Sequence, residues 1–502
     1  MSTLLYQKYY KQISKKLHLS ADDDYKKAIA TLNLLQSNAQ DLRNPQAPEF
    51  LNSKLDKLRS FLLLCDVEVQ KLDEKLSVIH VSGTKGKGST CAYCESILQN
   101  YGMKTGFFSS PHLVSVRERI RVDGQPISRK QFARCFWDVH QKLGGVQKEK
   151  NTAKEMPPYF MFLTIMALKI FLEEQVDVAI LEVGIGGEYD YTNILSKTAV
   201  VGFSSIGLDH VQILGNTVEL IAFQKAGIMK PNCIAVASSD QPRAALKVLE
   251  KRAIEKECDF FVAPVFNQYS FPDNDVRLGI KGPAQKHNAS LAVQLVNAWM
   301  NRHQLQKYKG PTFQLTRKMV EGLAKCRWPG RTQVLNYSHD LTYYLDGAHT
   351  SESMHNCVVW YRNAVPVLST SGKKVLVFNM TNSRDPKSMM ELLFPLKFDY
   401  VIFCPNRINS LNDDLFQDNT NLRTSRDQEY EKIVNYQKEW IKLNEQFDEQ
   451  RVKLFHDVTS VHEFLEHLSN NEKLDVLITG SLHLVGAFLT LLDPDLKFSC
   501  YS

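Results

Sequence analysis

Ser82-Gly83-Thr84-Lys85-Gly86-Lys87-Gly88-Ser89-Thr90 interleaves three glycines with two lysines and closes on two hydroxyls. Those residue types at that spacing suit a polyphosphate. Glycines let backbone N–H groups approach the oxygens, a lysine supplies positive charge, and a hydroxyl serves Mg²⁺. The run follows a short β-branched stretch, Ser77 to Val81, and precedes a helical pattern reaching Tyr101, which is the strand–loop–helix order of a phosphate cradle. The standard G-x-x-x-x-G-K-[ST] pattern is not met. Val81 stands where the first glycine would fall, and Gly88 separates Lys87 from Ser89. A mononucleotide site on Gly86, Lys87, Gly88 and Ser89 is the expectation, with a flexible glycine turn as the alternative.

Other residues stand where α/β folds place their chemistry. Glu182 ends the apolar stretch Val176-Asp177-Val178-Ala179-Ile180-Leu181 just before a glycine-rich turn, facing the crevice at the carboxyl end of a strand. A carboxylate there is a hard oxygen ligand for Mg²⁺; a surface strand-end acid is the alternative. His210 follows Ile206-Gly207-Leu208-Asp209 at a similar position, and Ser110 precedes Pro111. By residue type alone these two read as a structural histidine and a turn serine. Lys225, in Phe223-Gln224-Lys225-Ala226-Gly227, reads as a helix-end lysine. Arg331 follows the turn Trp328-Pro329-Gly330, and Asp346 ends Leu341-Thr342-Tyr343-Tyr344-Leu345. From there a guanidinium can swing onto a triphosphate and a carboxylate can take ribose hydroxyls; a surface arginine and an Asp-Gly turn are the alternatives. Asn288 suits a nucleotide contact or a helix cap. Arg117, Arg119 and Arg121 alternate over Val116 to Val122, which predicts three guanidiniums on one face of an extended segment, suited to a polyanion. A solvated strand edge is the alternative. Cys91 and Cys94 form a lone C-x-x-C without a second pair at zinc spacing, so they read as helix core.

The elements that must carry these residues come in two sets. Short apolar runs alternate with helical segments at Ser77–Val81, Val176–Val183, Thr198–Ser204 and Cys233–Ala237, then at Leu341–Leu345, Lys374–Phe378, Tyr400–Phe403 and Val476–Thr479. Each set predicts a mostly parallel sheet covered on both faces. The expected architecture is α/β: a P-loop nucleotide-binding domain plus a smaller, Rossmann-like C-terminal domain. The Pro-Gly turn at Trp328 to Arg331 marks a hinge, dividing the chain into 1–327, with a helical N-terminal segment, and 328–502. Asn406 to Arg451 reads as a polar insertion with one exposed helix near Gln428–Phe447. A length of 502 residues allows two or three domains. A content of 43% hydrophobic and 23% charged residues excludes disorder, collagen and coiled coil. The net charge of +6 is too thin for a dedicated nucleic-acid binder and suits a protein that handles anions. The longest apolar run, Phe160 to Leu172, contains Lys169 and is too short to span a bilayer. Met1 to Ser20 lacks a secretory apolar core, and its lysines without arginine make a poor mitochondrial presequence.

The run Gly83-Thr84-Lys85-Gly86-Lys87-Gly88-Ser89 resembles the loop of the folylpolyglutamate synthase and dihydrofolate synthase family, relatives of the Mur peptide ligases. The resemblance continues in register through Ser109-Ser110-Pro111-His112-Leu113, Leu181-Glu182-Val183-Gly184-Ile185-Gly186-Gly187 and Leu208-Asp209-His210. It goes on through Lys225-Ala226-Gly227, Trp328-Pro329-Gly330-Arg331, Asp346-Gly347-Ala348-His349 and Thr479-Gly480-Ser481-Leu482. Ala28 to Gln40 and Val116-Arg117-Glu118-Arg119-Ile120-Arg121 look like the eukaryotic folylpolyglutamate synthases in particular. The resemblance implies Ser110, Glu182 and His210 as Mg²⁺ ligands, a carbamylated Lys225, and ATP contacts at Asn288, Arg331 and Asp346. It implies Lys87, Lys225 and His349 as the catalytic set. Family members often carry a histidine before the glutamine matching Gln285, where this chain has Ala284.

The implied reaction is ATP-dependent amide ligation, with a reduced folate, L-glutamate and ATP as the small-molecule partners and Mg²⁺ as cofactor. The γ-carboxylate of a folate becomes an acyl phosphate, and the amino group of glutamate displaces phosphate. Dihydrofolate synthase, a P-loop switch and a non-catalytic folate-binding protein are the competing readings. The remaining expectations are no nucleic-acid partner, no transmembrane segment, a monomer, and a cytoplasmic and mitochondrial address.

Overall fold

The structure is a computed structural model that describes residues 21–36, 48–149, 156–272, 276–303, 314–365, 372–380, 385–409, 418, 425–443 and 448–496. The presequence reading of Met1 to Ser20 falls outside the described residues. Two sheets organise the chain. The first contains β1 (Val78–Ser82), β2 (Thr105–Phe108), β3 (Ile120–Val122), β4 (Gln125–Pro126), β5 (Val178–Glu182), β6 (Val200–Phe203), β7 (Ile234–Ala237) and β8 (Asp259–Val262). Its order is β4-β3-β2-β5-β1-β6-β7-β8, parallel from β2 to β8 and antiparallel at β2-β3-β4. The second contains β9 (Gln333–Asn336), β10 (Leu341–Leu345), β11 (Lys373–Phe378), β12 (Tyr400–Phe403), β13 (Val452–Leu454) and β14 (Leu474–Thr479), in the order β13-β12-β11-β14-β10-β9. Only β9 is antiparallel to its neighbour.

The central strands are the apolar runs legible in the sequence, because both their faces are covered and every second residue needs a partner. Alternate residues of β1 divide accordingly. Val78 joins the core under helices Pro48–Leu64, Arg129–Glu149 and Tyr159–Glu174, and Ile79 and Val81 join the core under helices Lys87–Asn100, Gln285–His303 and Arg317–Lys325. On the β6-β7 half, helices Val218–Ala226 and Arg243–Glu255 cover Val201, Phe203, Ala235 and Ala237. The second sheet repeats the plan. Tyr343 faces helices Val458–Ser469 and Leu482–Leu492, and Tyr344 faces helices Ser351–Ala364, Pro386–Leu393 and Arg426–Leu443. The apolar run Phe160 to Leu172 lies within the buried helix Tyr159–Glu174. Among the described residues no helix is long and apolar enough to cross a membrane.

Two expectations are corrected. The helix of the polar insertion spans Arg426–Leu443 and is packed rather than exposed, burying Ile433, Tyr436 and Trp440 on one seam. Charged residues take most of the other face, while Tyr436 meets Phe378 edge to ring and Phe403 at a tilt, and Trp440 meets Phe394. Strands β2, β4, β8, β9 and β13 escaped the sequence reading. The last four are sheet edges, where one neighbour suffices and no continuous apolar run is required, whereas β2 is internal and buried but only four residues long, one of them Gly106.

The chain crosses between the sheets at Trp328 to Arg331. Trp328 stacks on Phe107 of the first sheet, with ring centroids 5.4 Å apart. The Gly330 carbonyl accepts from Gly347 N beyond β10, at 3.1 Å. Leu113 and Val114, between β2 and β3, are buried in the core of the second sheet.

Candidate active site

The glycine loop leaves β1, the strand on which the sheet order turns, so it enters the crevice at the carboxyl ends of parallel strands. Its path is held by its neighbours. Thr84 N and Lys85 N donate to the Ser205 carbonyl beyond β6 at 2.8 and 3.1 Å, and Ser82 Oγ donates to Gly186 O at 2.7 Å. Gly86 caps the following helix with φ +86°, a conformation that favours glycine, and a Cβ there would lie 2.1 Å from Asn288 Oδ1. Lys87 opens that helix, and its Nζ donates to Gly83 O at 3.1 Å. Lys225 Nζ donates to the same carbonyl at 2.7 Å from the buried end of helix Val218–Ala226. Burial, then the charge of Lys87, holds the Lys225 amine well below the ordinary lysine range.

Glu182 lies beside the loop because β5 pairs with β1, placing Val81 opposite Glu182. The carboxylate is 5% exposed and accepts from Ser110 N at 3.0 Å. Burial raises its pKa, while Lys87, the Ser110 amide and Arg331 work in the opposite direction. His210 stands at the mouth of the same cleft, exposed, at the start of the short helix Val211–Leu214. Among the described residues no group of three or more His, Cys, Asp and Glu side chains is placed to hold a metal. A set of one hydroxyl, one carboxylate and one imidazole fits Mg²⁺ through its chemistry only with phosphate oxygens and water completing the shell.

The second sheet supplies the opposite wall. Asp346 accepts from Thr332 N at 2.8 Å and Ala348 N at 2.9 Å, so it performs the turn role and still lines the cleft. Burial raises the Asp346 pKa and Arg331 lowers it; for Arg331, burial lowers the value and Asp346 and Glu182 oppose that. His349 Nδ1 bonds the Gly347 carbonyl at 2.9 Å, which makes Nδ1 the donor and leaves Nε2 unprotonated in the neutral ring. Asn288 sits inside the first turn of helix Gln285–His303 and donates to Gln285 Oε1 at 3.1 Å, so it is not the cap.

One cleft of about 330 Å³ gathers these groups, within the range of a small-molecule site. Gly86, Lys87, Gly88, Ser89, Ser110, Glu182, His210 and Asn288 line it from the first sheet, with Arg331, Asp346 and His349 from the second. Lys225 meets the loop through Gly83 rather than the cleft wall. Cys91 and Cys94 are buried helix core, as their spacing implied.

Two residues of the site were not singled out in the sequence. Lys85 reaches across to Thr350 and, at 3.2 Å, to Glu352. Asp190 accepts from Gly184 N and Ile185 N at 3.2 Å and from Thr192 N at 3.0 Å, folding the glycine turn that follows Glu182. A second carboxylate soon after Gly186-Gly187 was the available signal.

The three arginines do not share a face. Val116–Arg119 is a 3-10 turn and only Ile120–Val122 is strand. Ser115 and Glu118 form a reciprocal cap that bends the segment, and the S-x-x-E spacing was there to be read. Arg117 donates to Ile127 O at 3.0 Å, Arg119 to His112 Nδ1 at 2.8 Å, and Arg121 pairs with buried Glu95 at 3.1 Å. Their charges are engaged internally rather than presented to a polyanion.

No protein-family model matches the chain. The mitochondrial folylpolyglutamate synthase of Bos taurus is 38% identical over 554 residues, covering 95% of this chain and 93% of that relative. A Mycobacterium tuberculosis folylpolyglutamate synthase solved with ADP has a TM-score of 0.72 at 22% identity, covering 94% of this chain and 99% of that one. A solved complex of such a synthase with AMPPCP and folate has a TM-score of 0.65 at 20% identity, covering 93% of this chain and 99% of that one. The solved structures share the two-sheet fold, and the identity to the Bos taurus enzyme extends over almost the whole length. The chain therefore belongs to the folylpolyglutamate synthase family.

Proposed function

We propose that this chain is an ATP-dependent ligase that adds L-glutamate to the γ-carboxylate of a reduced folate through an acyl phosphate. The observation that carries the reading is the meeting of Lys87 and Glu182 with Arg331, Asp346 and His349 in one cleft, drawn from opposite sheets. Family membership supports the same chemistry. A carboxylate is a poor acyl donor until phosphorylation gives it a leaving group. The folate carboxylate attacks the γ-phosphorus of ATP, ADP departs, and the glutamate amine then displaces phosphate from the acyl carbon. Lys87 and Arg331 neutralise charge on the transferring phosphoryl, where catalysis is positioning and electrostatics. The amides of the loop and the first turn of helix Lys87–Asn100 bind the other phosphates. Asp346 and Asn288 orient the nucleoside end, and His349 stands on the side of the incoming amine with Nε2 as a proton acceptor. Ser110, Glu182 and His210 would hold Mg²⁺, whose charge, when bound, draws electron density from the phosphate oxygens. The buried, neutral-leaning Lys225 amine suits carbamylation, which converts it to an anion near the same centre.

The two sheets form two domains, 1–327 and 328–502, that close over the reactants and exclude water from the acyl phosphate. The enzyme works as a monomer with mitochondrial and cytoplasmic forms; the mitochondrial designation of the Bos taurus relative supports the first address. Light scattering and organelle fractionation check those two points. The function is tested by ADP release and product analysis with ATP, Mg²⁺, tetrahydrofolate and glutamate. ADP formation that requires both co-substrates and lengthens the folate is expected. Turnover without them, or no chain extension, overturns the reading.

A further inference from the structure

Asp418 belongs to the polar insertion that leaves the second sheet after β12, yet every bond recorded for it is to the first half of the chain. Its Oδ1 accepts from Tyr25 Oη at 2.7 Å, Val116 N at 2.8 Å and Ser115 Oγ at 3.2 Å. Its main-chain carbonyl accepts from His112 Nε2 at 2.9 Å. His112 is thereby placed between two fixed partners, because Arg119 Nε donates to its Nδ1 at 2.8 Å.

The target is a compact knuckle, residues 110–119. Glu118 takes the amides of Leu113, Val114 and Ser115 at 3.1, 2.8 and 2.6 Å, and Asp418 takes the next one, Val116. At its start Ser110 N is bonded to Glu182, and at its middle Leu113 and Val114 are buried in the core of the second sheet. The knuckle therefore touches the reacting centre, both sheets and the insertion. It also walls a small hollow of about 40 Å³, beside the nucleotide cleft, that Ser110, Pro111 and Glu118 share with Trp328, Pro329 and Leu482.

We propose that Asp418 is a positioning residue for the acceptor substrate: it clips onto the knuckle and sets Ser110 and Pro111 where the folate carboxylate must meet the phosphoryl group. This rests on the reading that a folate enters between the two sheets. Three hydrogen bonds converging on one buried carboxyl oxygen hold the segment more firmly than the single Tyr25 Oη–Ser115 Oγ bond of 3.1 Å that also joins its partners.

Asp418→Ala in the full chain tests it. The acceptor KM rises about tenfold or more, the order of one lost charged hydrogen bond, while the KM for ATP stays within about twofold. Asp418→Asn, which keeps an oxygen toward Val116 N and Tyr25, recovers most of the loss. Tyr25→Phe gives a smaller rise alone and little further rise in the Asp418→Ala background, as partners of one cluster behave. These two milder variants carry the test if Asp418→Ala fails to fold. An unchanged acceptor KM, with or without a lower melting temperature, overturns the proposal, as does an equal rise in both KM values. Wild-type protein without folate-dependent ADP release would instead sink the functional reading beneath it.

Discussion

Lys87 and Lys225 both donate to one oxygen, the Gly83 carbonyl, at 3.1 and 2.7 Å. Two ammonium groups so close repel, and the one that loses its proton more readily is the one that burial penalises more. Lys225 is 4% exposed and its pKa is driven down first by burial and then by Lys87. A lowered lysine pKa leaves free amine at pH values where an ordinary lysine is protonated, and the free amine is the form that adds CO₂. The expected outcome is a carbamate carbon signal by NMR after loading with isotope-labelled bicarbonate. It weakens as pH falls and is absent from Lys225→Ala; a wild-type spectrum without it refutes the modification. Glu182 shows the opposite sign of the same effect, a buried acid raised by desolvation and drawn back by Lys87.

Between β1 and the turn after β5 runs a chain of buried polar contacts. His80 Nε2 meets Thr192 Oγ1 at 2.8 Å, and that hydroxyl donates to Asp190 Oδ1 at 2.5 Å. The hydroxyl proton is committed to Asp190, so His80 must donate from Nε2 and is neutral with Nδ1 bare. Burial holds His80 at about 3, against the ordinary 6.5. The sign follows directly. Below 6.5 the unfolded chain takes up a proton that the folded chain refuses until about 3, so stability falls as pH drops through that window. The slope from this group is about 1.4 kcal/mol per pH unit. His80→Gln, which can keep the bond to Thr192, flattens the pH dependence of the urea midpoint below 6.5 without abolishing it. His140, held at about 4 by burial, contributes in the same direction. An unaltered slope would show that His80 is not excluded from protonation.

At the scale of the molecule, three of the ties between the two sheets differ in strength. Trp328 is wedged over the start of the loop helix, where a Cβ on Gly88 would lie 3.2 Å from its Nε1, with Arg121 5.7 Å from its ring. The knuckle joins the second core through Leu113 and Val114. Lys85 and Glu352 form the third tie, and the Glu352 side chain is 64% exposed. An ion pair that open to solvent contributes under about 1 kcal/mol. Glu352→Gln is expected to change the KM for ATP by less than about fivefold and to lose even that effect at high salt. Steady-state ATP titrations at two ionic strengths decide it. A larger, salt-insensitive change would make Lys85 a principal element of closure.

The local sequence by itself determined the parts whose physics is local. A strand, three glycines, a lysine and a helix in that order were enough to predict the loop that the fold places in the cleft. Apolar runs bounded by glycine turns become buried parallel strands, so β1, β5, β6, β10, β11 and β14 were legible. The position of Glu182 at a strand end was legible for the same reason. Motif order across the chain carried the family, which the identity to the Bos taurus enzyme confirms. Three-dimensional packing decided whatever depends on a distant partner. Alternation alone set Arg117, Arg119 and Arg121 on one face, but Ser115 and Glu118 bend that segment and Glu95, Ile127 and His112 claim the guanidiniums. Helix Arg426–Leu443 looked solvated because its apolar residues are interspersed with eight charged ones, and only the partners show that Ile433, Tyr436 and Trp440 form a packed seam. Asp418 read as one more charge in a polar stretch; only the fold brings it to Tyr25, 393 residues away in sequence. A hydrogen bond is specified by both its ends, and a sequence lists the ends without saying which of them meet.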